Sequence, residues 1–305
     1  AGLNVRLGSI DPALKRSTTL TLPDGDTLTL EPVQRQRYRL GLKHFDPCTI
    51  LLNNDLPGGA PGILEDLHEQ YLLPPLQAGV TVRRKSRHYQ CYEEVSKRFG
   101  KLVGIDPWLI NPMHADCGAI DPHTPAGLDA LRGQVDALLG KLRRKYKEYG
   151  INEKPFVVVK TDQGPCGMGI LTVRDARELD LPAGGADAAE ALPDPAGELV
   201  IQEGVLTNER VHDAVAEPVV YTIDRYVVGG FYRIHAERAE DENLQAPGAR
   251  FVPLPFAGDA HLPHSKGEAR TPNRFYMYGV IARLAMVAAS YELEATDPEL
   301  AEALA

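Results

Sequence analysis

The sequence predicts a mixed α/β (α+β) protein, because its hydrophobic period changes along the chain. Short apolar runs bounded by polar residues, such as Cys48–Leu52, indicate strands near the start. Apolar residues then recur at helical spacing between residues 92 and 150, and residues 155–256 return to strand-like runs. With 305 residues and 43% apolar residues, the chain can form one large or two to three small domains around a sizeable core.

The first block, residues 1–90, alternates predicted strands with helices. Pro23-Asp24-Gly25-Asp26 lies between two apolar runs, which is typical of a hairpin turn. Val80–Val82 is predicted to be a strand that leads into the basic run from Arg83 to His88. The chain opens at Ala1-Gly2-Leu3 without a methionine, directly before a strand-like run, so we expect it to be the remainder of a longer protein.

Two later segments are predicted helices. The first ends at Gly150, a typical helix C-terminal residue, and carries basic residues in its last turns, where the helix dipole favours them. The second runs from Asn273 to Glu294 and is interrupted by Arg283, so we interpret it as a buried helix and not as a membrane span. The helical spacing of the first is shown by Leu128, Leu131, Val135, Leu138, Leu139, Leu142, Tyr146 and Tyr149.

Charge and cysteine spacing exclude several classes of protein. The formal net charge is −9, which disfavours a nucleic-acid binder because neutralising phosphates needs a basic surface. The four cysteines (Cys48, Cys91, Cys117 and Cys166) form no CxxC pair, which fits free thiols in a reducing cytoplasm better than disulfides or a zinc site. We therefore expect a cytoplasmic protein that binds neither nucleic acid nor a membrane.

The most informative segment joins two predicted strands between residues 156 and 173 through Lys160 and a glycine-rich stretch. A P-loop places its lysine after the glycines, and both it and the dinucleotide fingerprint lead into a helix. Here the lysine comes first and a strand follows, which indicates a flexible flap. The backbone N–H groups of Gly164, Gly167 and Gly169 could approach phosphate oxygens, with Lys160 as a fixed positive charge. A glycine-rich hairpin with an ordinary lysine is the alternative.

Polar residues at the ends of later strands add to this picture. Ile201–Val205 closes an apolar strand with Gln202 and Glu203, which suits an adenine-binding hinge of backbone amides with the Glu203 carboxylate on the ribose. A strand-end surface position is the alternative for Glu203. Arg233 is predicted to point from a hairpin that turns at Asp224-Arg225 or at Gly229-Gly230.

The acidic run Asp241-Glu242-Asn243 offers hard oxygen ligands of the kind that Mg²⁺ accepts beside nucleotide phosphates. A solvated acidic turn is the alternative.

The order of these parts resembles the ATP-grasp superfamily: strand, lysine, glycine-rich flap, strand, hinge, and a hairpin with arginine. Longer runs are similar to the proteobacterial ATP-grasp-type glutamate–cysteine ligases, and this resemblance covers nearly the whole chain. The runs are Asn53–Leu56, Val82–Ser86, Gly104–Pro112, Lys145–Ile151, Glu153–Phe156, Ile201–Val205, Ala216–Tyr221, Val227–Arg233 and Asp241–Leu244.

The resemblance implies an ATP-grasp fold with a partial Rossmann-like N-terminal (pre-ATP-grasp) domain. It implies three parts: residues 1–90 as a substrate domain, 91–198 as linker helices with the central subdomain, and 199–305 as the C-terminal subdomain. Its reaction would join the γ-carboxylate of L-glutamate to the amine of L-cysteine through an acyl phosphate, with ATP and Mg²⁺. The partners would be small molecules only, and a homo-oligomer is compatible with this reading.

The resemblance also implies roles for individual residues. Lys97, with Lys101 as runner-up, would be the ATP-binding lysine of the linker helix, and Arg233 and Lys160 would be catalytic. Nucleotide binding would involve Lys97, Lys160, Gly164, Gly167, Gly169, Gln202, Glu203 and Val205. Substrate carboxylate or acyl-phosphate oxygens would be bound by Asn54, Arg83, Arg84 and Arg87, whose alternative is a solvated turn. Metal or γ-phosphate would be held by Glu217, Glu242 and Asn243.

The chain departs from the family pattern in lacking an additional N-terminal segment, which would carry the first strand and helix of the substrate domain. Two further functions therefore stay open. One is a different carboxylate–amine ligase, such as a glutathione synthetase, and the other is a truncated nucleotide-binding remnant without activity.

Overall fold

The computed structural model contains both helices and sheets, which confirms the mixed α and β class predicted from the sequence. It forms two compact units, Ala1–Val82 and Arg83–Ala305. The finer division at residues 90 and 198 stays a prediction. No helix in the described part of the chain is long and apolar enough to cross a membrane. The structure describes residues 2–52, 56, 58–67, 70–164, 170–180, 197–254 and 274–297.

The described residues of the first unit form three small sheets. The predicted hairpin is confirmed, with strands β2 and β3 antiparallel and Gly25 at a positive φ of 91° in the turn. The buried Gln70 side chain accepts a hydrogen bond from Leu40 N (2.6 Å) and donates one to Leu40 O (2.7 Å), so it replaces a missing strand neighbour. The strands are β1 (Leu7–Ser9), β2 (Thr18–Thr21), β3 (Thr27–Pro32), β4 (Gln34–Gln36), β5 (Arg39–Gly41), β6 (Thr49–Leu51) and β7 (Tyr71–Leu73).

The second unit is built around a four-stranded antiparallel sheet in the order β10-β9-β11-β8. Alternate residues of β9 and β11, such as Val159 and Ile201, pack with helix α2 (Pro125–Glu148) in a single buried cluster. Side chains alternate between the faces of a strand, so the residues between them face the other side of the sheet. The strands are β8 (His114–Ala119), β9 (Val157–Thr161), β10 (Leu171–Val173) and β11 (Glu198–Glu203).

Helix α2 confirms the helix predicted from the leucine spacing. It begins after Thr124, whose hydroxyl accepts a hydrogen bond from Gly127 N (3.2 Å), and Pro125 occupies its first turn. Five apolar residues of its inner face are almost fully buried, and each stabilises the fold by about 2 kcal/mol. They are Leu131, Val135, Leu138, Leu139 and Leu142.

Strand β8 lies inside the stretch predicted to be mainly helical, and that prediction was wrong for residues 114–119. The sequence of β8, His-Ala-Asp-Cys-Gly-Ala, has no clear apolar alternation. Antiparallel pairing with the apolar strand β11 decides its conformation. Tertiary pairing therefore overrides a weak local signal.

The prediction of a strand at Val80–Val82 was also wrong. These residues form a turn, in which Val82 N donates to Gly79 O (3.0 Å), and helix α1 (Lys85–Val103) begins three residues later. Most of the basic run that follows therefore forms the first turn of a helix. Helix α1 packs against α3 (Arg274–Ala295), with Tyr92, Val95 and Ala288 buried between them.

A second antiparallel sheet has the order β12-β13-β14-β15. Of the two turn positions that the sequence left open, the hairpin turns at Asp224-Arg225, where Asp224 has a positive φ of 52°. Gly229-Gly230 lies within the continuous strand β14. The strands are β12 (Glu209–Val211), β13 (Ala214–Ile223), β14 (Tyr226–His235) and β15 (Arg250–Pro253).

Candidate functional site

Lys160 and Gln202 lie together on the face of the central sheet that is turned away from α2. Lys160 stands opposite Val200 in the register, and Gln202 follows two residues later on the same face. The Lys160 ammonium donates to Gln202 Oε1 (2.5 Å) and lies 5.3 Å from the centre of the Tyr89 ring. The Tyr89 hydroxyl donates to the same oxygen (2.9 Å), so helix α1 contributes to this cluster. The structure thus brings together two predicted site residues and Tyr89, which the sequence analysis missed.

His114 extends the cluster onto strand β8. It stands opposite Gln202 in the register, and its ring centre lies 5.3 Å from that of Tyr89. Burial lowers the pKa of His114, while the nearby carboxylates of Glu93 and Asp116 raise it less. Its imidazole is therefore neutral near pH 7, and the positive charge on this face comes from lysine.

A second lysine, Lys85, reaches the beginning of the glycine-rich segment from the first turn of α1. Its ammonium donates to the carbonyl oxygens of Thr161 (2.9 Å) and Gly164 (3.4 Å). Gly164 has a positive φ of 96°, which favours glycine at this position. The predicted flap residues Gly167 and Gly169 lie outside the described residues. The sequence indicated Lys85 only as part of the basic run from Arg83 to His88. Recognising that a helix begins at Lys85 could have identified it.

The predicted linker-helix lysine, Lys97, lies further along α1, at about 18 Å of helix length from Lys85. Its exposed ammonium pairs with Glu93 Oε1 (2.8 Å) and Glu94 Oε1 (3.6 Å). The hydrogen bond to Glu93 raises the pKa of Lys97. Its charge also acts on His114, so it lies in the neighbourhood of the cluster.

The predicted hinge divides between the two faces of the sheet. Gln202 faces Lys160, whereas the next residue, Glu203, faces α2 and is only 6% exposed. One Glu203 oxygen accepts hydrogen bonds from Trp108 Nε1 (2.9 Å) and Met113 N (2.8 Å). Burial raises the pKa of Glu203, although these two bonds lower it. Its carboxylate thus fixes the loop before β8.

The hinge backbone beyond Glu203 comes close to its neighbours. Gly204 N donates to Phe156 O (2.8 Å), and a Cβ at Gly204 would lie 2.0 Å from the Phe156 ring. Only glycine fits there. Val205, the last predicted hinge residue, is 63% exposed.

The predicted metal and phosphoryl ligands lie on or after the second sheet. Glu217 and Arg233 stand opposite each other on β13 and β14 and form an ion pair. Glu242 accepts hydrogen bonds from Ala239 N (2.6 Å) and Arg238 (2.9 Å), which lower its pKa. Asn243 Oδ1 accepts from Gln245 N (3.0 Å) in a tight turn. Among the residues that the structure describes, no three His, Cys, Asp or Glu side chains are grouped to hold a metal ion.

The three predicted substrate arginines lie in different environments. Arg83 forms a bidentate ion pair with the buried Glu292 of α3 (2.8 and 2.5 Å), and His88 Nδ1 lies 3.0 Å from the same carboxylate. Arg84 pairs with Glu198 at the start of β11. Arg87 is exposed and makes no ion pair within the described part of the chain. The fourth predicted residue, Asn54, lies outside the described residues.

Comparison with known proteins identifies the family of the chain. A solved structure of a proposed gamma-glutamylcysteine synthetase from Methylobacillus flagellatus KT is 50% identical, with a TM-score of 0.83 over 97% of this chain and 70% of that chain. The D-alanyl-alanine synthetase A of Vibrio cholerae O1 biovar eltor is 13% identical over 84% of this chain and 70% of that one, and its TM-score of 0.33 is too low to support an argument. No curated protein matches the sequence. The glutamate-cysteine ligase family model matches residues 1–293, and the chain therefore belongs to the glutamate–cysteine ligase family.

Proposed function

We propose that this glutamate–cysteine ligase is of the ATP-grasp type and binds ATP on the face of the central sheet that carries Lys160. The observation that carries the proposal is the placement of two lysines at the start of the glycine-rich segment. Lys160 lies on the strand that leads into this segment, and Lys85 reaches its first carbonyl groups from α1. Two ammonium groups near the start of a segment rich in glycine would suit a polyphosphate, whose oxygens glycine amides can approach closely.

The residues present fit a nucleotide. Lys160 and Lys85 would hold the phosphates, together with the backbone of Gly164 and the predicted Gly167 and Gly169. Gln202 and the backbone of Glu203 and Val205 would line the base, since the Glu203 carboxylate is already used by Trp108 and Met113. ATP supplies the phosphoryl group that activates a carboxylate, and the protein needs no nucleophile of its own for that reaction.

The residues proposed for Mg²⁺ do not form a ligand set in this structure. Glu217 is engaged by Arg233, and Glu242 by Arg238 and Ala239. Glu217, Glu242 and Asn243 remain our proposed metal ligands.

The remaining roles follow from charge. In the proposed reaction the γ-carboxylate of glutamate takes the terminal phosphoryl group of ATP, and the amine of cysteine then displaces phosphate. Arg233, which is half-buried beside Glu217, would stabilise negative charge on the transferred group. Arg84 and the exposed Arg87, with Asn54, are the proposed carboxylate-binding residues, whereas Arg83 is held by Glu292.

The experiment that tests this function measures ADP release with ATP, Mg²⁺, glutamate and cysteine, each left out in turn. We expect release only with the complete mixture, and a glutamyl–cysteine dipeptide detected by mass spectrometry. Release that depends on glutamylcysteine and glycine would indicate a glutathione synthetase. ATP binding without turnover for any amino-acid pair would indicate a nucleotide-binding remnant and contradict the proposal.

The two candidate lysines of α1 can be separated by parallel substitutions. We expect Lys85→Met to raise the KM for ATP by about tenfold to a hundredfold, because a hydrogen bond from a charged donor contributes about 1.5–3 kcal/mol. Lys97→Met should have a smaller effect, because this ammonium pairs with Glu93 and Glu94 at the surface. Steady-state kinetics at varied ATP measure both. A larger rise in the KM for ATP in Lys97→Met than in Lys85→Met would indicate that Lys97 is the ATP-binding lysine of α1.

A further inference from the structure

A buried carboxylate, Asp162, connects strand β9 to the first turn of helix α1. Asp162 is 0% exposed, and its two oxygens accept hydrogen bonds from Ser86 N (2.6 Å) and the Ser86 hydroxyl (2.7 Å). Its main-chain carbonyl accepts from Lys85 N (2.9 Å). A carboxylate at the N-terminus of a helix satisfies amide groups that have no partner within the helix and interacts favourably with the helix dipole. The contact therefore holds the beginning of α1 firmly against β9.

This contact lies between the elements that form the proposed ATP site. Asp162 follows Lys160 by two residues, and its N–H still donates to Glu198 O (2.7 Å), so it continues the pairing with β11. On the other side of the contact, the first two turns of α1 carry Lys85 and Tyr89. Lys85 reaches Gly164, and Tyr89 covers Lys160. The position of both side chains relative to Lys160 depends on where α1 begins.

We propose that Asp162 is a positioning residue for the ATP site: it fixes the first turn of α1 so that Lys85 and Tyr89 stand beside Lys160. The inference rests on the proposed function. Asp162 need not touch the nucleotide, because both of its carboxylate oxygens are bonded to Ser86. A displacement of about 1 Å of positioning groups can lower turnover by about a hundredfold.

A helix cap with a purely structural role should affect stability and leave the KM values unchanged. The cap of α2 provides such a control. Thr124 caps α2 through a hydrogen bond from Gly127 N (3.2 Å), and α2 packs on the face of the sheet opposite Lys160. Thr124→Ala should lower the stability of the protein and leave the KM values for all three substrates unchanged. Asp162→Ala should also lower stability, but among the three KM values it should change only the KM for ATP.

The test compares kcat and KM for ATP, glutamate and cysteine in four variants of the full chain, with melting temperatures measured alongside. We expect Asp162→Ala to raise the KM for ATP by about tenfold or more, with unchanged KM values for both amino acids. Asp162→Asn should restore most of the ATP affinity, because a carboxamide can accept from Ser86 N and donate to the Ser86 hydroxyl. Ser86→Ala removes one of the two bonds and should raise the KM for ATP by about twofold to fivefold.

Two results would overturn the inference. One is an unchanged KM for ATP in folded Asp162→Ala, or in Ser86→Ala if the first variant does not fold. The other is an equal rise in the KM values for all three substrates, which is expected from a general loss of structure. If the unsubstituted protein shows no ATP-dependent turnover, the proposed function fails and the inference fails with it. ATP-dependent turnover that is insensitive to Asp162 and Ser86 leaves the function standing and removes only the inference.

Discussion

Replacing Lys160 with alanine is expected to lower kcat by about a hundredfold to a thousandfold, the range observed when one preorganised charge-stabilising donor is removed. Lys160 is the fixed positive charge at the entrance of the glycine-rich segment, held by Gln202 (2.5 Å) and by the Tyr89 ring (5.3 Å). In the proposed reaction, an ammonium in this position would neutralise charge on phosphate oxygens as the phosphoryl group is transferred. The measurement is ADP release at saturating substrates.

The fold should survive this substitution. Lys160 faces away from the core that Val159 and Ile201 form with α2, so alanine leaves no cavity there. Lys141→Ala, on the exposed part of α2, is the matched control and should keep normal turnover and melting temperature. A folded Lys160→Ala protein with turnover near that of the control would contradict the assignment of the site.

Glu292→Gln is expected to lower the free energy of unfolding by about 2–3 kcal/mol. Breaking a fully buried ion pair costs about 3–5 kcal/mol because the other charge is left uncompensated. The loss should be smaller here because the Arg83 side chain is 38% exposed and can recover part of its hydration, whereas Glu292 is only 3% exposed. In a unit of this size the melting temperature should fall by roughly 4–12 °C.

The same ion pair should make stability depend on pH. Burial alone would raise the pKa of Glu292, but hydrogen bonds from Arg83 and His88 outweigh it and lower the pKa from 4.5 to about 2. A carboxyl group whose pKa is lower in the folded state contributes stability above its unfolded pKa and loses it as pH falls through the folded pKa. The contribution should be complete above about pH 5 and should disappear between about pH 4.5 and pH 2.

Urea unfolding of the wild-type and Glu292→Gln proteins between pH 7 and pH 2.5 measures this contribution as a difference, in which other titrating groups cancel. Glu148→Gln is the matched control, because Glu148 is 59% exposed in its ion pair with Lys145 and should matter by less than about 1 kcal/mol. A gap between wild type and Glu292→Gln that persists unchanged down to pH 2.5 would show that the pair is not its source.

Local patterns in the sequence determined much of the fold. The leucine spacing of α2, the strands on either side of the glycine-rich segment and the helix at the end of the chain follow from hydrophobic period and from turn residues. The elements depend on neighbours in the chain, which a sequence pattern records. The register of β9 and β11, which places Lys160 and Gln202 on one face, is a property of the tertiary structure.

Tertiary structure decided the features that depend on distant partners. The basic run from Arg83 to His88 was predicted to bind a substrate, but Arg83 is neutralised by Glu292, 209 residues later in the chain. Glu203 was predicted to reach a ribose, but the alternation of β11 turns it toward Trp108. Lys85 and Tyr89 enter the site because Asp162 fixes the start of α1.

The difference has one physical reason. The sequence by itself determined most of the elements, the glycine-rich segment and the lysine before it, because hydrophobic period and backbone conformation are local properties. Which charged side chains meet is decided by how the elements pack, since a carboxylate can neutralise any cation that the fold brings within about 4 Å of it. The sequence therefore determined that a lysine precedes a glycine-rich segment between two strands, and only the tertiary structure decided which other residues stand beside that lysine.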